Sequence, residues 1–418
     1  MPIHRHQLDA ATEALRLALK FDRPADVVLH QFFREQRALG SHDRAFVAES
    51  VFGVLRRKRL IDHLVRDATP RRMLLAYLTR VTGVSARELA PALRPDEVET
   101  VGSIKAVALD ELPLAVKAEL PDWLVERLRA NMPEAEILAL GRALQQPAPL
   151  DLRVNTVRAE RGAVLAELAA GGITAEPTPY SPVGIRLKDK PAINRHPLFT
   201  TGAIEVQDEG SQLLAYLVAP KRRELVVDFC AGAGGKALML GALMQSHGRV
   251  YAFDISEKRL ARLKPRLKRS GLSNLYPYVI RNENDIKVKR LAAKIDRVLV
   301  DAPCSGLGTL RRNPDLKWRQ SPATVEELKR KQAAILSAAA ALLKPGGRLV
   351  YATCSLLAEE NQEIVAGFRA AHQRFSILHC GEILRHQRIE LDTGPYLQLW
   401  PHVHGTDGFF AAALMRSD

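Results

Sequence analysis

Over the first 130 residues apolar positions recur at helical spacing with charged residues between them, as in Leu15, Leu17, Ala18 and in Phe46, Val47, Val51, Phe52, Leu55. This pattern predicts an all-helical region over 1–130. From 135 to 200 prolines 147, 149, 177, 179, 182, 191 and 197 punctuate short pieces such as LDLRVN and GIRLKD, which predicts a small α/β module. Over 201–418 strand-like apolar runs alternate with longer helical patterns, the signature of a parallel sheet built from βαβ units. The strands are LVVDF at 225–229, RVYAFD at 249–254, YPYVI at 276–280, RVLVDA at 297–302 and RLVYAT at 348–353. Between the fourth and fifth, Ser321 offers an N-cap, Pro322 a first helical position, and Lys344-Pro345-Gly346-Gly347 a stop. The expected fold is α/β: a Rossmann-like sheet preceded by a helical domain and a small linker module.

A length of 418 residues suits two to four domains, at ~100–200 residues per domain. Charge adds a partner. Lysine plus arginine number 61 against 47 acidic residues, a net +14 that favours a polyanion, RNA or DNA first. Candidate contacts are Arg56-Arg57-Lys58-Arg59, the seven cations from Lys258 to Arg269, and Arg311, Arg312, Lys317, Trp318 and Arg319, the last group combining cations with an aromatic. For each cluster the plainer alternative is a solvated helix face or core packing. No stretch reaches the ~18 apolar residues of a spanning helix, and charges interrupt the N-terminus where a signal peptide would be apolar. The expected setting is the cytoplasm, without a membrane partner. Cys230, Cys304, Cys354 and Cys380 form no C-x-x-C pair, so reduced thiols are expected rather than a zinc ribbon or disulfides. His402 and His404 lack partner ligands nearby and read as loop, so no metal is expected; the sequence is silent on oligomeric state.

The first strand of the sheet runs into Asp228-Phe229-Cys230-Ala231-Gly232-Ala233-Gly234-Gly235-Lys236-Ala237, where small residues let backbone approach a ligand at a helix start. A P-loop is excluded because Cys230 occupies the first glycine position and Ala237 replaces the magnesium-binding hydroxyl. Gly232, Gly234 and Ala237 fit the looser GxGxxG/A spacing, and Asp254 ends the next strand where an acid can hold ribose hydroxyls. That geometry serves a nicotinamide dinucleotide or S-adenosylmethionine, and the loop does not separate the two. The fourth strand ends in Asp301-Ala302-Pro303-Cys304-Ser305 and the fifth in Thr353-Cys354-Ser355. One cysteine at a strand end is ordinarily packing. Two at one crevice mouth, beside Asp301 and Lys236, point to chemistry, because a thiolate is the best neutral-pH nucleophile among side chains. Cys230 and Cys380 lack such company and read as core. Thiol, acid and methyl donor together suggest methylation at carbon 5 of a pyrimidine, which becomes nucleophilic only after a thiolate adds at carbon 6. Asp301, protonated or sharing a proton, would bond ring nitrogen 3. Lys236 is the candidate cation for lowering the attacking thiol's pKa. The residue types leave the order of the two thiols open.

The motifs DFCAGAGGKA, DAPCSGLGTLRRNPDLKW and YATCS, with LWPHVHGTDGFF near the end, resemble the Sun/Nop family of RNA 5-methylcytosine methyltransferases over 135–418, most closely its bacterial 16S ribosomal RNA members. The resemblance implies a class I methyltransferase sheet, S-adenosylmethionine as donor and ribosomal RNA as substrate. It implies that Cys354 is the nucleophile and Cys304 the residue that helps release methylated RNA. Asp301 would contact the target cytosine and border the cofactor, with Pro303 shaping that loop. Cys230, Ala231, Gly232, Ala233, Gly234, Gly235 and Lys236 would line the cofactor site, with Asp254 at the ribose and Asn282 at the adenine side. Ala237 stands where the family commonly has threonine or serine, and Asn282 where it often has aspartate, which leaves Asp285 as an alternative. GSHDRAFVAESVFGVLRRKRLIDHLV resembles an antitermination-factor-like RNA-binding domain. Three rivals stand: transfer RNA as substrate, a nicotinamide-dependent oxidoreductase that leaves both strand-end cysteines unexplained, and a non-catalytic ribosome-assembly factor of the same fold.

Overall fold

The structure is a computed structural model that describes residues 3–65 and 67–417. The chain forms two compact units, one of Met1–Pro147 with Thr309–Pro322, the other of Ala148–Gly308 with Ala323–Asp418.

In the first unit the helix Arg5–Ala18 buries Leu8, Ala11, Leu15 and Ala18, spaced three or four apart and so on one face. Helices Ala25–Glu35, Ser41–Arg56, Lys58–Leu64 and Pro70–Ala76 add Val28, Phe32, Val51, Leu55, Ile61 and Leu74 to the same core. Thr69 caps the last of these, its hydroxyl accepting the Arg72 N–H at 3.3 Å. Pro70 occupies the first helical position, where a missing N–H costs nothing. A π-helical turn, Tyr77–Val81, continues it and lays Tyr77 on Gly53, where a Cβ would sit 2.1 Å from the ring. The helix Glu134–Gln145 groups with this unit.

The second unit opens with β1 (Leu150–Val154), β2 (Ala175–Pro177), β3 (Gly184–Leu187) and β4 (Ile204–Val206). They form an antiparallel sheet ordered β2-β3-β1-β4, with Val164 and Leu168 of the helix Arg161–Ala170 in its core. The larger sheet holds β5 (Leu225–Asp228), β6 (Arg249–Asp254), β7 (Leu275–Val279), β8 (Ile295–Asp301), β9 (Leu343–Thr353), β10 (Phe375–Leu378), β11 (Leu397–Leu399) and β12 (Phe409–Arg416). Its order is β10-β12-β9-β8-β5-β6-β7, with β5 to β9 parallel and β11 paired to β12. Val226, Val227, Val298, Leu299 and Val300 are fully buried, as a parallel sheet covered on both faces requires. The chain winds from β5 through β6 to β7 on one side and then to β8 and β9 on the other. The switch point between β5 and β8 is where such sheets open a ligand crevice.

One expected boundary moves. The helix that starts at Pro322 ends at Ala340, before Lys344-Pro345-Gly346-Gly347, which instead bulges out of β9. Leu343 pairs with Ile295 and Arg348 with Arg297, so the four residues between face a single partner, and Gly346 takes φ +73°. Among the described residues no helix is long and apolar enough to cross a membrane.

Candidate active site

The C-terminal ends of β5, β6, β8 and β9 border a cleft of about 1030 Å³, at the upper end of the usual size for small-molecule sites. Asp228, Cys230, Ala231, Gly232, Ala233, Gly235, Lys236, Asp254, Asn282, Asp301, Cys304 and Cys354 line it. Gly234 does not. It turns the chain into the helix Gly235–Leu243 at φ +81°, where a Cβ would meet the Leu263 side chain at 2.2 Å. Gly232, at φ +56°, has open space around a would-be Cβ. The loop is tied from two sides: the Gly232 N–H donates to Asp254 Oδ2 at 2.7 Å, and Arg266 Nη1 to the Ala233 carbonyl at 2.7 Å.

The acids differ sharply. Asp254 also accepts from the Ser256 N–H at 2.7 Å and from Arg259 at 2.9 Å. Asp301 pairs with Lys236 at 2.7 Å. Burial alone would pull the Lys236 ammonium down, but Asp301 and then Asp228 outweigh it and hold it above its usual value. Asp228 is 1% exposed, and neither of its oxygens has a well-formed hydrogen-bond partner. Burial, with repulsion from Asp301 and Asp254, pushes its carboxyl up to about 7 against the pull of Lys236. At the far wall, Asn282 lines the cleft while Asp285 does not. Asp285 caps its own short helix, accepting from the Arg281 and Lys287 N–H groups at 2.9 Å, and these bonds hold its carboxyl below the usual range.

The two sulfurs of Cys304 and Cys354 lie 3.4 Å apart, and the Cys354 N–H points at Cys304 Sγ at 3.3 Å. The hydrogen bond to Cys354, then burial, then the charges of Cys354 and Glu360 push the Cys304 thiol well up. Cys230 lines the same cleft, its thiol raised by burial and by three neighbouring carboxylates, whereas Cys380 is core, pushed to about 11 by burial. The terminal TDGFF segment locks both thiol loops. Gly308 N–H donates to the Cys354 carbonyl and Gly408 N–H to the Gly308 carbonyl, each at 2.8 Å, and a Cβ on Gly308 would lie 2.1 Å from the Gly408 oxygen. The sequence shows Asp228 without giving it a role and offers Arg266 only as a candidate RNA contact, and it gives no sign of Glu360 or Gln332. An acid closing β5 was a visible signal for the first; partners distant in sequence hid the others.

The candidate RNA contacts are largely redistributed. Arg57 binds Gln145 and Glu119, Lys58 binds Asp62 at 2.7 Å, and Arg59 binds Asp122 at 2.5 Å. Lys317, buried, and Trp318, half-buried, are both tied to carbonyls within the helical unit. Lys317 donates to the carbonyls of Arg56 and Glu119 at 2.8 and 2.6 Å, and Trp318 Nε1 donates to the Leu55 carbonyl at 2.8 Å. On the outer helices of the second unit Arg259, Arg266 and Arg269 are held by Asp254 and Glu205, while Lys258, Arg262, Lys264 and Lys268 are exposed. His404 Nδ1 accepts the Trp400 N–H at 2.9 Å, and among the described residues no group of three or more His, Cys, Asp or Glu could hold a metal.

Comparison with known proteins decides the family. Residues 215–415 match the model described as 16S rRNA methyltransferase RsmB/F, and residues 120–194 match the ferredoxin-like domain described for the same proteins. The probable ribosomal RNA small subunit methyltransferase B of Synechocystis sp. is 33% identical over 91% of this chain and 94% of its own. The chain belongs to the RsmB/F family of 16S rRNA methyltransferases. The resemblance drawn from the motifs is thereby confirmed. The crystal structure of PH0851 aligns over 100% of both chains, with TM-score 0.82 and 26% identity. NSun6 from Pyrococcus horikoshii, solved with SFG, shares the fold over 71% of this chain and 98% of its own, with TM-score 0.62 and 21% identity. RsmB/F membership makes the Rossmann-like sheet a methyltransferase sheet, with the crevice at its switch point.

Proposed function

We propose that the protein methylates carbon 5 of a cytosine in small-subunit ribosomal RNA through a covalent adduct between Cys354 and carbon 6. The observation that carries this reading is the pair of thiols 3.4 Å apart in one cleft with the Lys236–Asp301 pair. S-adenosylmethionine, when bound, supplies the methyl group as an electrophile. The residues present fit it. Asp228 offers two unpartnered buried oxygens to the ligand's ammonium, Gly232 leaves open space beside the backbone, Asp254 would hold the ribose and Asn282 would face the adenine. The relative solved with SFG, an S-adenosylmethionine analogue, supports the same donor.

Addition of the Cys354 sulfur to carbon 6 breaks the carbon 5–carbon 6 π bond and moves its electron pair toward carbon 5 and the ring. Asp301, with a proton held between it and ring nitrogen 3, would stabilise that charge. After methyl transfer a base, a water in the cleft, takes the carbon 5 proton, the freed pair re-forms the carbon 5–carbon 6 double bond, the sulfur–carbon pair returns to Cys354 as thiolate, and the RNA leaves. Cys304 would assist this last stage, a role supported by its sulfur lying 3.4 Å from that of Cys354. Lys236, paired with Asp301, would supply the positive charge of the cleft that Cys354 lines.

The test is a denaturing gel of Cys304→Ala and Cys354→Ala proteins incubated with S-adenosylmethionine and cellular ribosomal RNA. A covalent protein–RNA band from Cys304→Ala and none from Cys354→Ala is expected. The reverse pattern exchanges the thiols. No adduct from either, with no methyl transfer by the wild type to ribosomal or transfer RNA, overturns the reading in favour of an assembly factor.

A further inference from the structure

Glu360 is fully buried in the turn after β9, and none of its contacts belongs to the cleft lining. Its carboxylate accepts four hydrogen bonds: from the Ser305 N–H at 2.8 Å, the Ser305 hydroxyl at 2.5 Å, the Gln332 amide at 2.9 Å, and the Ser355 hydroxyl. A carboxylate has about four acceptor sites and no proton to place, so it satisfies this set where an amide or hydroxyl does not. The donors matter by position. Ser305 follows Cys304 and Ser355 follows Cys354, so one carboxylate holds the residue next to each thiol, and the two hydroxyls lie 3.1 Å apart.

The surroundings tighten the same clip. Gln332 also donates to the Pro303 carbonyl at 3.0 Å, and the Tyr351 hydroxyl donates to the Glu360 carbonyl at 2.6 Å. Asn361 donates to the Ser355 carbonyl at 3.1 Å and accepts from the Thr353 hydroxyl at 2.5 Å. Both cysteine loops are therefore fastened to one buried carboxylate as well as to each other.

We propose that Glu360 is a positioning residue for both thiols, fixing the separation and orientation of Cys304 and Cys354 so that adduct formation and release run in one geometry. The inference rests on the thiol roles proposed above. Its charge also contributes to keeping Cys304 protonated, behind the hydrogen bond to Cys354, burial and the Cys354 charge.

Two variants of the full chain test it. Glu360→Gln keeps the volume but replaces one acceptor by a donor; the double variant Ser305→Ala/Ser355→Ala keeps the carboxylate and removes both hydroxyl bonds. The first readout is the ratio of iodoacetamide labelling rates at Cys304 and Cys354, resolved by peptide mass spectrometry, which needs no methyl transfer. The second is kcat against KM on ribosomal RNA. Expected are a roughly tenfold change in the labelling ratio and a fall in kcat of roughly 10- to 100-fold, with KM for S-adenosylmethionine within about twofold. If Glu360→Gln fails to fold, the serine variant decides. A folded variant that keeps both the wild-type labelling ratio and the wild-type kcat overturns the proposal. If the wild type transfers no methyl group, the functional reading fails, and the labelling ratio still decides the positioning role.

Discussion

The surroundings of Lys317 in the helical unit and of Asp228 in the cleft bury charge to opposite ends. Lys317 finds two carbonyls and the nearby Glu119 carboxylate, which itself accepts from the Arg59 and Leu60 N–H groups and forms an ion pair with Arg57. Burial pulls the Lys317 ammonium down to about 7 and pushes Glu119 up, and their mutual attraction opposes both shifts. Asp228 is buried as deeply and is left almost unsupported. A buried charge with its partners supplied by the chain serves the fold. One left without them is a vacancy shaped for a ligand.

Breaking the matched site has the largest effect expected on stability. Glu119→Ala strands Lys317 and Arg57 and should cost roughly 3–5 kcal/mol, read as a lower midpoint in urea, while Lys317→Met, which leaves two carbonyls without a donor, should cost roughly 1–3 kcal/mol. The cleft should answer with the opposite sign. The folded-state pKa of Asp228, about 7, lies above the ordinary 3.8, so its contribution to stability falls as pH rises through that window. Asp228→Asn should therefore stabilise the ligand-free protein at pH 8, by on the order of 2–4 kcal/mol, give no gain at pH 4, and lose S-adenosylmethionine binding. A loss of stability at pH 8 comparable to that of Glu119→Ala would erase the contrast.

A smaller effect sharpens it. A cationic ligand group selects the ionised Asp228, so binding should release about one proton below pH 7 and weaken by up to about tenfold per pH unit. Calorimetry in buffers of different ionisation heat would measure this, and Asp228→Asn should abolish the release. The smallest effect concerns RNA. Lys264→Ala, on the exposed helix, should reduce the salt slope of RNA binding by about one. Arg59→Ala, whose guanidinium faces Asp122, should leave the slope unchanged and cost at most about 1 kcal/mol in stability.

These contrasts also separate what the sequence discloses from what it conceals. Continuous apolar runs such as LVVD and the small-residue turn after Asp228 announce parallel strands and a ligand loop locally. The cysteines at the ends of β8 and β9 are legible because strand ends at a switch point converge by topology. The short strand β11 and the bulge Lys344–Gly347 carry no such local signature, since register with a neighbour decides them. The cations from Arg56 to Arg59 and Lys317 look like an RNA surface in sequence. Their partners Glu119, Asp122 and Gln145 lie far along the chain, and composition does not show which charges meet.

The segment Thr309–Pro322 completes the helical unit from far downstream. A ribosome adding ~5–20 residues per second reaches it roughly 10–35 s after finishing Pro147. Until then the carbonyls of Leu55, Arg56 and Glu119 wait without the donors that Trp318 and Lys317 bring. The amino-terminal helices are thus made well before the segment that completes them, and a nascent chain stalled before Lys317 exposes an unfilled socket to chaperones and proteases.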